Sequence, residues 1–205
     1  MDALSRDLIA YYDQEAKLRA ERPIDARRVA CQQRFAQLLV DEGRTNLVEV
    51  GTGPGRDAME FMKEGLRVSG IDLSAEHVKM AQAVGVRATQ ASMFDLPYAR
   101  RSFDAGWTMS TLVHVPDSRF EDAMNEITSV LQDGAPLAIG LWGGFDEELI
   151  STVQDIQPPR FFSLRSHDRA QEMLAKHTTV EHFKTWDYGD ASHWQYQFAI
   201  LRIFR

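Results

Sequence analysis

Cysteine is nearly missing from this chain of 205 residues: Cys31 stands alone, so no disulfide can form within it. Lysine and arginine form no dense block. With 30 acidic residues against 23 basic ones the net charge is −7, and the basic footprint of a nucleic-acid binder is lacking. No apolar run approaches the roughly 18 residues that a membrane span needs. The start Met1-Asp2-Ala3, followed by Arg6 and Asp7, is unlike a signal peptide. These absences predict a cytoplasmic protein that handles a small molecule, with neither nucleic acid nor membrane as partner; a monomer or homodimer is expected, though no residue pattern reports on the oligomeric state. What is present is apolar: 44% hydrophobic residues, enough for one α/β domain over 1–205 and short for two.

The stretch from Thr45 to Gly55 organises the rest. Leu47, Val48 and Val50 read as a strand buried on both faces, and the run stops at Gly51, Gly53 and Gly55, three glycines in five residues. Glycines there allow positive φ and let a ligand approach the backbone, while the following helix, marked by Ala58, Phe61 and Met62, offers free N–H groups to polar or anionic ligand groups. A second strand, Leu66 to Ile71, leads into Asp72, 21 residues beyond Gly51. An acidic side chain about 20 residues past such a turn is where dinucleotide-type folds bind a ribose hydroxyl pair. Ser74 can cap the next helix, which frees Asp72 for that task. The glycines read G-x-G-x-G and not the nicotinamide G-x-G-x-x-G, and Glu49 precedes them inside the strand.

Three segments in order, Glu49-Val-Gly-Thr-Gly-Pro-Gly-Arg56, Gly70-Ile-Asp-Leu-Ser74 and Leu96 to Asp104, resemble the class I S-adenosylmethionine-dependent methyltransferases. The resemblance runs from about residue 45 to 142 and more loosely beyond. It implies a doubly wound, Rossmann-like α/β fold with a seven-stranded, mostly parallel sheet, a C-terminal antiparallel hairpin and an N-terminal helical lid. S-adenosylmethionine is the implied cofactor and S-adenosylhomocysteine its product. Glu49, Gly51, Gly53 and Gly55 would hold the methionyl portion, Asp72 the ribose, Leu73 and Met93 the adenine, and the carbonyl of Thr108 the amino group. Many family members carry an aspartate where this chain has Ser92, whose hydroxyl can still accept a hydrogen bond from the adenine amine.

Along the chain, residues 3 to 20 carry Leu4, Leu8, Tyr11 and Leu18 at helical spacing, and a second helix runs from the cap Asp25 to about Glu42 with Cys31, Phe35, Leu38 and Leu39 inward. Residues 1–42 thus form the expected lid region. Tyr11 and Tyr12 either wall the acceptor pocket or dock the first helix. Cys31 reads as a small core residue. Helix 74–84, strand 86–90 and strand 103–109 continue the alternation, with Glu76 and His77 placed at the solvent. Ser118-x-x-Glu121 reads as a capping box before Phe120, Met124, Ile127, Val130 and Leu131, and strand 137–142 follows. Residues 143–165 fit no core element and contain Pro158-Pro159; this insertion, with Trp142, Phe161, Phe162 and Arg165, is taken as the acceptor-side cap. Ser166 caps a helix to about His177, and two strands, 179–186 and 194–204, are joined at Gly189 to Ser192.

In doubly wound sheets the ligand lies beyond the carboxyl ends of the strands, where the segment Thr108 to Pro116 emerges. It carries no Asn/Asp-Pro-Pro-Tyr motif of the amine-methylating relatives and no acidic cluster for a divalent metal, so no metal centre is expected. His114 remains as the candidate base, with a packed turn residue as the other reading. The function implied is transfer of a methyl group to an O, N or C atom of an unidentified small molecule by in-line displacement. Two other readings share these features: a nicotinamide- or flavin-dependent oxidoreductase, and a non-catalytic regulatory protein that binds S-adenosylmethionine.

Overall fold

The computed structural model describes residues 3–151, 156–176, 178–187 and 193–204. Two helices come first, α1 (Ala3–Glu21) and α2 (Ala26–Asp41), the second capped by the Asp25 carboxylate, which accepts from the Arg27 N–H. The alternating part follows as β1 (Asn46–Val50), α3 (Arg56–Lys63), β2 (Arg67–Asp72), α4 (Ala75–Ala83), β3 (Arg87–Gln90), β4 (Ala105–Met109), α5 (Asp117–Ser129) and β5 (Pro136–Gly143). Then come β6 (Glu147–Ser151), β7 (Arg160–Leu164), α6 (His167–Ala175), β8 (Thr178–Asp187) and β9 (Gln195–Ile203). Ser74 and Ser166 cap α4 and α6 through their hydroxyls, as the sequence predicts.

Seven strands form one sheet in the order β3-β2-β1-β4-β5-β9-β8, with β1 to β5 mutually parallel and β9 antiparallel to both its neighbours. Side-chain alternation splits each central strand between two cores. Val48 and Val50 meet α5 and α6 through Met124, Ile127 and Leu174, whereas Leu47 meets α2 and α3 through Phe35, Leu39 and Phe61. In β9, Ala199 and Leu201 join the first core while Phe198 and Ile200 join the second, so the strand is buried on both sides. The order reverses between β1 and β4, which opens a crevice at the carboxyl ends of β1, β2 and β4.

Four expectations are corrected. Of residues 143–165, expected to form no core element, the described ones hold a small sheet of their own: β6 and β7 pair antiparallel from Glu147 opposite Leu164 to Ser151 opposite Arg160, and Phe162 and Leu164 pack on Val113 while Ile150 faces solvent. The capping box does not form, because α5 begins at Asp117 behind Pro116 and the Asp117 carboxylate is taken by Ser163, Arg165 and Arg169. In α1 the buried side is Leu8, Tyr11, Glu15 and Ala16, with Leu18 exposed; the Glu15 carboxylate is matched by Arg22 at 2.5 Å. His77 is buried, not solvated. The turn at 189–192 and the end of the last helix at His177 lie outside the described residues.

Candidate functional site

The glycine turn is built by close approach. Gly51 and Thr52 both donate their N–H groups to the Ile71 carbonyl, at 2.8 and 2.9 Å, which folds the chain back over the end of β2. A Cβ on Gly51 (φ 76°) would lie 2.0 Å from Thr111 Oγ1, so only glycine lets the segment after β4 close on the turn. Gly53 also has positive φ, yet a Cβ there would meet nothing within 4 Å. Its N–H donates to Asp72 Oδ2 at 2.8 Å, and Ser74 N–H donates to Oδ1 at 2.9 Å. The turn and the distant carboxylate are thus tied across the crevice.

A cleft of roughly 910 Å³, counting the open solvent at its mouth, lies over these groups. Of the residues singled out from sequence, Glu49, Gly51, Gly53, Asp72, Leu73, Met93, Tyr12 and His114 line it. Gly55 stands behind the wall as the N-cap of α3. Ser92 accepts from the Phe94 N–H and is not at the lining, which Ala91 and Met93 supply instead. Thr108 is fully buried within β4; Met109, Ser110 and Thr111 form the wall there. Tyr11 lies behind Tyr12 under the Arg160 guanidinium, 4.4 Å from its ring centroid. Trp142 stacks edge-on against Tyr196, and Phe161 contributes its carbonyl behind His114. Arg165 is 1% exposed, bonded to Asp117 and to the carbonyls of Ser163 and Val115, and fastens β7 to the chain before α5. None of these last four lines the cleft.

Sequence reasoning missed Arg19, Arg28, Arg56 and Asp57, which also line it. Arg28 pairs with Asp57 at 2.5 Å, and the Trp107 indole donates to the same carboxylate oxygen at 3.0 Å. Glu49, 3% exposed, accepts from the Thr52 hydroxyl at 2.7 Å; burial, and then the neighbouring Asp57 charge, push its carboxyl well above the usual range. Ser110 was missed as well. It holds φ 58°, a strained conformation for a residue with a Cβ, where β4 meets the cleft.

His114 sits in the short 3₁₀ turn after β4 with both nitrogens engaged. Nδ1 lies 2.7 Å from the Phe161 carbonyl, which can only accept, so Nδ1 carries the proton. Nε2 is then the acceptor for the Tyr12 hydroxyl at 2.7 Å. Burial pushes the imidazole pKa down to about 3, so the ring is neutral at neutral pH. Tyr12 comes from α1, which is bolted over the cleft. Ser74 donates to Asp13 at 2.5 Å on one side, Gln14 donates to the Gln157 carbonyl at 2.7 Å on the other, and Arg56 donates to the carbonyls of Arg19 and Arg22.

Among the described residues no group of three or more His, Cys, Asp or Glu side chains converges as a metal site would require, and no helix is long and apolar enough to cross a membrane. Residues 47–134 match the family described as a methyltransferase domain. The chain is 34% identical over 103 residues to the O-methyltransferase resE of Aspergillus sclerotiorum, covering 46% of this chain and 38% of that protein. It is 29% identical to the methyltransferase GfsG of Streptomyces halstedii, covering 67% of this chain and 58% of that one. It therefore spans less than two thirds of the length of either relative. Among solved structures, the DhpI-SAH complex superposes with a TM-score of 0.73 at 24% identity over 98% of this chain and 97% of that one, a likeness that establishes the fold.

Proposed function

We propose that this chain, whose residues 47–134 carry a methyltransferase domain within the class I S-adenosylmethionine-dependent methyltransferase fold, transfers a methyl group from S-adenosylmethionine to a small molecule. The observation that carries the reading is the tie between Gly53 N–H and Asp72 Oδ2, which brings the glycine turn and the β2 carboxylate to one cleft at the carboxyl ends of the strands. The lining fits the cofactor. Each Asp72 oxygen accepts one backbone N–H and keeps lone pairs for a ribose hydroxyl. Ile71, Leu73 and Met93 offer an apolar wall to adenine, with the polarizable Met93 thioether suited to an aromatic face. The open space over Gly53, with Glu49 and Arg28 nearby, suits a zwitterionic methionyl tail.

When bound, the sulfonium supplies an already activated methyl group. The chain's own contribution is then alignment and exclusion of water: α1 covers the cleft, and Tyr12 and His114 mark its acceptor end. His114 Nε2, held as an acceptor by the Nδ1–H bond to Phe161, receives the acceptor's proton in concert with transfer, once that group replaces the Tyr12 hydroxyl. With a pKa of about 3 it is a weak base, so alignment carries most of the rate. The acidic balance of the chain and the O-methyltransferase name of resE favour a small hydroxylated acceptor.

Thermal unfolding tests the reading. S-adenosylhomocysteine at about 100 times its Kd should stabilise the chain by about 2.7 kcal/mol, with NAD leaving the midpoint unchanged. Labelled methyl should then pass from S-adenosylmethionine to a hydroxylated compound in an acceptor panel. A shift with NAD alone would point to the oxidoreductase instead, and binding of S-adenosylhomocysteine with no transfer to any acceptor would point to a regulatory protein.

A further inference from the structure

His77 is the second buried imidazole of the cleft, and the reaction outlined above makes no use of it. Its place is set locally. Ser74 caps α4 and accepts the His77 N–H, which puts the residue in the first turn, where side chains lean back toward the helix N-terminus. That direction carries the ring over the carboxyl end of β2 and into the cleft wall, where it is 3% exposed and covered by Tyr12 with ring centroids 5.6 Å apart.

Neither ring nitrogen has a hydrogen-bond partner among the described residues. Nδ1 stands 3.5 Å from Asp72 Oδ1, too far for a good hydrogen bond and well placed to flank a third polar atom. An oxygen seated about 2.8 Å from each would close a triangle, donating its proton to Oδ1 and accepting one from Nδ1. A buried imidazole lacking partners is costly, and a ligand that completes its bonds removes that cost. A carboxylate that accepts and an imidazole N–H that donates together suit a hydroxyl, which does both.

We infer that His77 is a cofactor-recognition residue whose Nδ1–H hydrogen-bonds a ribose hydroxyl shared with Asp72 Oδ1. The inference rests on the proposed binding of S-adenosylmethionine, and it gives the ribose a second protein contact, from the first turn of α4. It also makes Tyr12 a shared wall, since that ring packs on His77 on one side and His114 on the other.

Calorimetry with S-adenosylhomocysteine, without any acceptor, tests it on the wild-type chain, His77→Leu and His77→Gln. The leucine variant should bind about tenfold more weakly, and glutamine, which keeps a donor, should recover part of the loss. The same titrations with analogues lacking the 2′ or the 3′ hydroxyl should show the His77→Leu penalty vanish for one of them. Should the leucine variant melt well below the wild type, the glutamine variant and the two analogues carry the comparison. Undiminished binding by both variants, or an equal penalty for all three ligands, overturns the assignment and leaves the cofactor reading intact. A higher acceptor KM with unchanged S-adenosylhomocysteine affinity also overturns it, because the contact then belongs to the acceptor. No heat from the wild-type chain overturns both.

Discussion

Two glycines of the same turn perform different tasks, and the difference is measurable. Gly51 and Gly53 both hold positive φ, where a residue with a Cβ pays about 1–2 kcal/mol. Only Gly51 also has a neighbour in the way, Thr111 Oγ1 at 2.0 Å from the would-be Cβ, while Gly53 faces open space. Urea unfolding should therefore show Gly53→Ala losing about 1 kcal/mol and Gly51→Ala at least twice that. Adding Thr111→Ala to Gly51→Ala should restore part of the difference, and equal losses for the two single variants would contradict the account. The demand for glycine was legible in the sequence because backbone torsion is a local matter. The fate of His77 was not: its burial depends on Tyr12, delivered by a helix distant in sequence that packs across the cleft.

At the scale of elements, the strands and helices of the alternating part were legible because each carries its own period, and α4 also its own cap in Ser74. The misreadings have different causes. The β6–β7 pair joins two five-residue strands across a Pro-Pro segment, with too few alternating positions for either to stand out alone. The capping box at Ser118 failed because Asp117 answers to Arg165, at the end of the insertion, and to Arg169 just beyond it. Helix α1 hides a charge, Glu15, where the pattern asked for an apolar residue. Its hold on the domain is correspondingly polar: Asp13 accepts from the Ser74 hydroxyl at 2.5 Å and from the Glu76 N–H at 3.3 Å. Removing that anchor with Asp13→Ala should speed hydrogen exchange of α1 amides about tenfold, in line with the loss of a charged hydrogen bond, and leave exchange in β1, β4 and β5 unchanged. Exchange that rises equally in the sheet would mean that α1 opens only with global unfolding.

For the molecule as a whole, sequence reached the layers of a parallel sheet through the alternation of strands with helices, the seven strands and the antiparallel end being what the resemblance to class I methyltransferases implied. It could not reach the charge states of the crevice those layers enclose, which depend on burial. Those charge states make stability depend on pH with two opposing signs. His114 has its pKa lowered by burial from 6.5 to about 3. Between those values the unfolded chain binds more protons than the folded one, so this contribution is lost as pH falls below 6.5, by up to about 1.4 kcal/mol per pH unit. Glu49 is shifted upward, so the folded chain binds more protons above 4.5, and its contribution is lost as pH rises through the folded value. Two variants separate the effects. Between pH 7 and pH 5 the wild type should lose about 2 kcal/mol more than His114→Gln, whereas Glu49→Gln should gain on the wild type toward pH 8 and lose that advantage toward pH 5. The same depression of His114 means that turnover should show no acid limb near 6.5, because the ring is already neutral there. Parallel stability losses in wild type and His114→Gln, or a rate that falls with a midpoint near 6.5, would place a titrating, solvated imidazole at this position and remove the buried, fixed-tautomer acceptor on which the role of His114 depends.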